Sequence, residues 1–92
     1  MGLLLKGCAN YNQNNNEQAV ADFNQVVEIG GCEQYFAYLN EATVYLQGKD
    51  YQKSLEYVNK AEALPQYCRS DAIGFVQLKT SKDLLKELSK IK

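Results

Sequence analysis

The sequence predicts an all-α fold: a right-handed α-α superhelix of two antiparallel helical hairpins, closed by a fifth helix. Apolar residues recur at three- and four-residue steps along five segments, which is the periodicity of amphipathic helices. Clusters of glycine, asparagine or proline separate most of these segments. A pattern of small and large residues repeats at an offset of 35 residues, which predicts one hairpin followed by another. No segment shows the strict alternation of a strand.

The five predicted helices cover residues 3–12, about 17–29, about 33–47, 51–64, and 71 nearly to the end. The polar run at 12–16 consists of poor helix formers and separates the first pair. Within it, Asn15 or Asn16 is expected to cap the second helix, since Asn15 with Gln18 resembles a capping box with asparagine in place of serine.

Breakers also mark the other helix ends. Gly30–Gly31 ends the second helix, because glycine takes the left-handed conformation without steric penalty. Gly48 ends the third, Asp50 is a good N-cap for the fourth, and Pro65 prevents its continuation.

The last segment has two interpretations. Ser70 is expected to cap one long helix, with Asp71 favourable at the positive end of the helix dipole. Gly74 weakens this prediction by about 1 kcal/mol relative to alanine. The Thr80–Ser81 pair could instead divide the segment into two short helices.

The internal repeat carries the fold prediction. Small residues recur where the two helices of a hairpin must approach closely, and large apolar residues fill the space between them. The matched pairs are Gly7 with Ala42, Ala19 with Ser54, Val20 with Leu55, and Phe23 with Val58.

This period and pattern resemble the tetratricopeptide repeat family, whose period is 34. The resemblance covers about residues 3–66 and is best over 42–65. The first copy departs from the family pattern because Asn14 and Asn16 replace the turn glycine and tyrosine. In the second copy Ser54 replaces the usual alanine.

We expect one domain over residues 1–92. Repeat one covers about 2–34, repeat two about 35–68, and a capping helix about 70–91 seals the second hairpin. Because the chain begins almost at the first repeat, we expect it to be a fragment of a longer protein.

The resemblance implies a protein-binding scaffold in which the first helix of each hairpin lines a concave groove for a peptide or protein segment. The groove residues it implies are Leu4, Cys8, Tyr11, Phe36, Leu39, Asn40, Thr43, Leu46 and Gln47. The alternative is that Leu4, Leu39 and Leu46 are core residues between hairpins and that Asn40 and Thr43 lie on a solvated face.

One subgroup of the family grips the carboxylates of heat-shock chaperones through lysine, asparagine and arginine on the groove helices. Only Asn40 matches that set, since Leu4 and Cys8 stand where a lysine and an asparagine are required. A chaperone carboxylate clamp is therefore not expected.

Other partner classes are weaker hypotheses. The apolar Leu3–Leu4–Leu5 start could stack on further repeats or support weak self-association. The lysine stripe of residues 79–92, a segment with net charge +3, could contact an anionic membrane surface, but acids interrupt it and a solvated face is favoured. Nucleic-acid binding is not expected, because the sequence lacks the strongly basic face that it usually needs. No apolar run reaches the length of a membrane span.

The residue inventory argues against catalysis and cofactors. Histidine is absent, and neither a glycine-rich phosphate loop nor a nucleophile elbow occurs. The odd number and wide spacing of Cys8, Cys32 and Cys68 do not predict a disulfide framework or a metal site. We expect three reduced thiols packed as small hydrophobes, which favours a cytoplasmic location.

Overall fold

The computed structural model describes residues 2–69 and 77–90. Its α-helices are α1 (Gly2–Asn12), α2 (Asn16–Ile29), α3 (Glu33–Gln47), α4 (Tyr51–Glu62) and α5 (Ser81–Ser89), with a short 3₁₀ helix at Gln66–Cys68. The described residues contain no β-strand, so the all-α prediction is confirmed. The first four helices lie within three residues of their predicted bounds.

The helices pack as two antiparallel hairpins, α1 with α2 and α3 with α4, and α2 packs against α3 to join them. Gly7 lets α1 approach α2 closely, because a Cβ at this position would lie 2.4 Å from Cε1 of Phe23. Phe23 itself is fully buried. The repeated small residue therefore has the role in hairpin packing that the sequence pattern assigns to it.

In the second hairpin, Ser54 occupies the position where the two helices approach closely and where the family usually has alanine. Its hydroxyl donates to the backbone carbonyl of Ala42 at 2.7 Å, and both residues are fully buried. Because its hydroxyl is hydrogen-bonded, serine can be buried at this position, whose equivalent in the first hairpin is Ala19.

The helix ends show why the turns form where they do. Gly30 and Gly31 have positive φ angles of 87° and 80°, as the double glycine predicts. Asp50 caps α4 by accepting from the backbone N–H of Lys53. Asn15 does precede α2, but its side chain makes no cap hydrogen bond, so the predicted capping box is wrong.

Two apolar clusters form the core. The first lies within hairpin one and against α3, and its buried members are Leu4, Cys8, Ala19, Phe23, Val26, Ala37 and Val44. The second lies between α3, α4 and α5, and its buried members are Tyr35, Leu39, Ala42, Val58, Ala61 and Leu84. Leu84 of α5 is fully buried, so α5 closes the second hairpin as predicted.

A disulfide joins Cys32 to Cys68, and the expectation of three free thiols is wrong; Cys8 alone is free. The two bonded residues are 36 positions apart, one more than the repeat offset. Equivalent positions of adjacent repeats lie side by side in a stacked array. The spacing along the sequence argued against a disulfide, but because it is close to the repeat offset, it brings the two cysteines together in the fold.

The segment before α5 also differs from the prediction of one long helix. Residues 77–80 are not helical, and α5 begins at Ser81 with Thr80 as its N-cap, whose hydroxyl accepts from Asp83 N at 3.1 Å. The start of α5 falls at the Thr80–Ser81 pair, where the alternative places a break, and the first of its two short helices would lie outside the described residues. The cap predicted at Ser70 lies outside the described residues.

Candidate functional site

The middle of α3 is covered by the chain itself, at Asn40. Asn40 is fully buried, and its Oδ1 accepts from the backbone N–H of Leu78 at 2.7 Å. Its Nδ2 faces the sulfur of Cys8 at 3.7 Å. The side chain of Leu78 packs against the apolar cluster that contains Leu4 and Cys8.

The C-terminal halves of α1 and α3 line an open cavity of about 510 Å³. We call it the lysine-lined cavity, and its lining residues are Tyr11, Thr43, Leu46, Gln47, Lys49, Tyr51, Lys79, Glu87 and Lys90. Four of the nine sequence-predicted groove residues therefore meet at one cavity.

The remaining predicted groove residues have other positions. Leu4 and Leu39 are core residues, in agreement with the alternative considered for the leucines, and Cys8 lies in the core as well. Phe36 is half-buried against both apolar clusters. Thr43, one of the four residues at the cavity, is itself buried, and its hydroxyl donates to the Leu39 carbonyl at 2.9 Å.

The charges around the lysine-lined cavity are unbalanced. Three lysines and one carboxylate line it, for a formal charge of +2. Lys79 pairs with Glu87 at 3.1 Å. Within the described residues no ion pair holds Lys49 or Lys90, and both side chains are exposed.

The sequence interpretation missed the contributions of the loops and of α5 to this cavity. Lys49 comes from the turn between α3 and α4, and Tyr51 is the first residue of α4. Lys79, Glu87 and Lys90 come from the segment before α5 and from its C-terminal end. The lysine stripe was visible in the sequence, but the position of two of its members, Lys79 and Lys90, at the cavity depends on the path of residues 77–80.

A second cavity, of about 410 Å³, lies between α2 and α3, with Val20, Val44 and Tyr45 among its lining residues. Its rim carries Glu17 and Asp50, so its charge is opposite to that of the lysine-lined cavity. Asp50 already serves as the N-cap of α4 through one oxygen.

A buried carboxylate lies in the interior between the hairpins. Glu41 of α3 is fully buried, and in the orientation that satisfies both groups the Asn24 amide donates to its two oxygens at 2.9 and 3.2 Å. Desolvation raises the pKa of Glu41 to about 7, against the lowering effects of nearby Lys60 and of a hydrogen bond with Tyr57. Burial likewise raises the pKa of the Cys8 thiol to about 11, so this cysteine is a poor nucleophile.

The architecture is that of an α-helical hairpin repeat with a closing helix. The tetratricopeptide repeat profile matches residues 2–29 and 37–66, which correspond to the two hairpins. The chain therefore belongs to the tetratricopeptide repeat family, as the small-residue pattern predicted. Repeats of this family mediate protein–protein interaction and are not enzymes.

Comparison with curated proteins and with solved structures gave no significant match. Among the described residues, no helix has both the length and the apolar character needed to span a bilayer.

Proposed function

We propose that this chain binds a segment of a partner protein on its concave face, at the lysine-lined cavity. The observation that supports the proposal is that this cavity gathers Tyr11, Thr43, Leu46 and Gln47 from the first helix of each hairpin. Its floor combines two aromatic rings with an aliphatic side chain, and its rim offers hydrogen-bonding groups. That combination suits a peptide segment.

The charge of the cavity defines the chemistry of the segment. Lys49 and Lys90 are without ion-pair partners among the described residues, and the one carboxylate is already paired with Lys79. A partner segment with one or two acidic side chains neutralises this excess charge. Binding therefore weakens as ionic strength rises, because these lysines are solvent-accessible.

Site-specific photo-crosslinking tests the location. A photoreactive amino acid at Gln47, an exposed residue of the cavity, is expected to give an adduct with a partner protein in an extract of the source cell. The same group at exposed Gln52 of α4 is the matched control and should give none. Equal adducts at both positions, or none at either, would contradict binding at this cavity.

Charge reversal tests the chemistry. In the protein carrying the photoreactive group at Gln47, Lys49→Glu with Lys90→Glu should lower the adduct yield about tenfold. Lys53→Glu, a reversal on α4 outside the cavity lining, should leave the yield within twofold. If all variants give the same yield, the cavity binds its partner without using its charge.

A second candidate, stacking against further repeats or against another copy, rests on a different surface. Leu5 of α1 is 41 % exposed although it lies among apolar neighbours in the sequence. If this face mediates association, sedimentation equilibrium will show a dimer that Leu5→Lys abolishes while crosslinking from Gln47 is retained.

A further inference from the structure

Residues 77–79 contact α3 and the first apolar cluster through one backbone amide and one aliphatic side chain, both from Leu78. The contact from Asn40 is made to the backbone N–H of Leu78 and not to its side chain, so any residue other than proline can supply it. The Leu78 side chain then packs on the cluster that contains Leu4 and Cys8. Together these features form a seat, which we call the Asn40 seat, for a backbone amide with an aliphatic side chain.

The seat is imperfectly filled by the chain's own residues. Gln77 is only 2 % exposed, and its buried Oε1 has no hydrogen-bond partner among residues 2–69 and 77–90. Its Nε2 donates to the carbonyl of Lys79 at 3.4 Å, a long bond within the segment itself. An unsatisfied buried acceptor is unfavourable, and an apolar side chain of similar size would avoid that cost.

We infer that the Asn40 seat is a second docking surface, adjoining the lysine-lined cavity, for a non-helical partner segment with two successive aliphatic side chains. In the structure residues 77–79 occupy it in place of that partner. The inference rests on the proposed function and extends it by naming the motif of the partner segment. That motif is an aliphatic residue at the position of Gln77, followed by a second one at the position of Leu78. Such a segment competes with the chain's own residues, because it keeps the bond to Asn40 and buries no unsatisfied acceptor.

Cys8 provides a direct readout of the seat. It is the free thiol of the oxidised chain, it is 7 % exposed, and Asn40 contacts its sulfur. Its alkylation rate at constant pH, with the disulfide intact, therefore reports how often residues 77–79 leave. No knowledge of the natural partner is needed.

The first test compares variants of the full chain. Leu78→Gly should accelerate Cys8 alkylation at least tenfold, and Gln77→Leu should slow it by roughly fivefold, the factor corresponding to about 1 kcal/mol for a buried unsatisfied acceptor. Val58→Ala removes packing from the other apolar cluster and serves as the control for global unfolding. If Leu78→Gly accelerates alkylation no more than Val58→Ala at the same loss of stability, the segment does not leave on its own and the inference fails.

The second test supplies the segment in trans. An octapeptide with the sequence of residues 75–82 should protect Cys8 of the Leu78→Gly protein from alkylation in a saturable way. The same peptide with Gln77→Leu should protect at roughly fivefold lower concentration, and a version with Leu78→Asp should not protect. Absence of protection by the first two peptides at millimolar concentration would contradict the Asn40 seat as a docking surface. Crosslinking from Gln47 tests the proposed function separately, whatever the outcome with the peptides.

Discussion

Replacing Gly7 with alanine tests the packing rule on which the fold prediction was built. The new Cβ would lie 2.4 Å from Cε1 of Phe23 and 2.8 Å from two further ring atoms. These distances are far below van der Waals contact, so either the ring or the backbone must shift. Phe23 is fully buried, which leaves its ring little room to yield.

The expected magnitude follows from two opposing terms. Alanine is favoured over glycine inside a helix by about 1 kcal/mol. Overpacking a dense core costs about 1–3 kcal/mol, and a 2.4 Å approach to a buried ring belongs at the upper end of that range. We therefore expect Gly7→Ala to lower the free energy of unfolding by about 1–2 kcal/mol.

Gly48 provides the matched control. Its φ is −78°, and a Cβ there would meet only backbone oxygens at 3.6 and 3.7 Å, which are ordinary contacts. Gly48→Ala should leave stability unchanged or raise it by about 0.4–1 kcal/mol, because alanine restricts the unfolded chain. Urea denaturation followed by circular dichroism measures both variants.

The combination of Gly7→Ala with Phe23→Leu isolates the clash. The smaller side chain makes room for the new methyl group, so the double variant should be more stable than the sum of the two single effects predicts. A Gly7→Ala protein as stable as Gly48→Ala, or additive effects in the double variant, would refute the close approach of α1 and α2.

Three further predictions concern the disulfide, the buried carboxylate and a strained turn. Cys68→Ser should lower the free energy of unfolding by about 4 kcal/mol, the loop-closure value for a separation of 36 residues, and wild-type protein in reductant should match it in urea denaturation. The pKa of Glu41 is raised from 4.5 to about 7 in the folded protein, so its contribution to stability is full below pH 4.5 and is lost as pH rises through 7. Glu41→Gln should therefore be more stable than wild type at pH 8 by on the order of 2 kcal/mol, with little difference at pH 4, and a constant difference at all pH values would contradict the assigned pKa. Lys49 has a φ of 65°, a conformation that costs a side chain about 1 kcal/mol, so Lys49→Gly should raise the melting temperature by a few degrees, and a lower value would exclude strain at this turn.

The hairpins were predictable because their determinants are local and repeated. Apolar periodicity, breakers and the small residues at Gly7, Ala19 and Ala42 all indicated the same two antiparallel pairs, and each of these signals lies within one hairpin. Recurrence at 35 residues then indicated how the pairs stack. The left-handed glycines between α2 and α3 confirm that the turn residues were interpreted correctly.

The site was less predictable because it depends on the path of a segment with weak local preferences. Nothing in the residues around Leu78 indicates that its backbone would reach Asn40, 38 positions away. The groove prediction treated Asn40 as a surface residue, and the structure places it under residues 77–79. Four predicted members still meet at the lysine-lined cavity, because α1 and α3 alone determine their placement.

The disulfide failed as a prediction for another reason. The sequence argument assumed that cysteines far apart along the chain are also far apart in space. That assumption fails in a stacked repeat, where equivalent positions of neighbouring repeats lie side by side. A separation close to the repeat period is the signal that was available, and Cys32 and Cys68 differ from it by one residue.

The bridge between Cys32 and Cys68 also determines how the chain would respond to a pulling force. It closes α3, α4 and the turn between them into a covalent loop, so tension applied to the two ends of the chain passes directly from one sulfur to the other. About 120 Å of potential extension, the contour of 36 residues at roughly 3.5 Å each, is withheld from the stretched chain. Under load the first hairpin extends while the second keeps its closed contour, and reduction of the bridge would release that hidden length as one additional step.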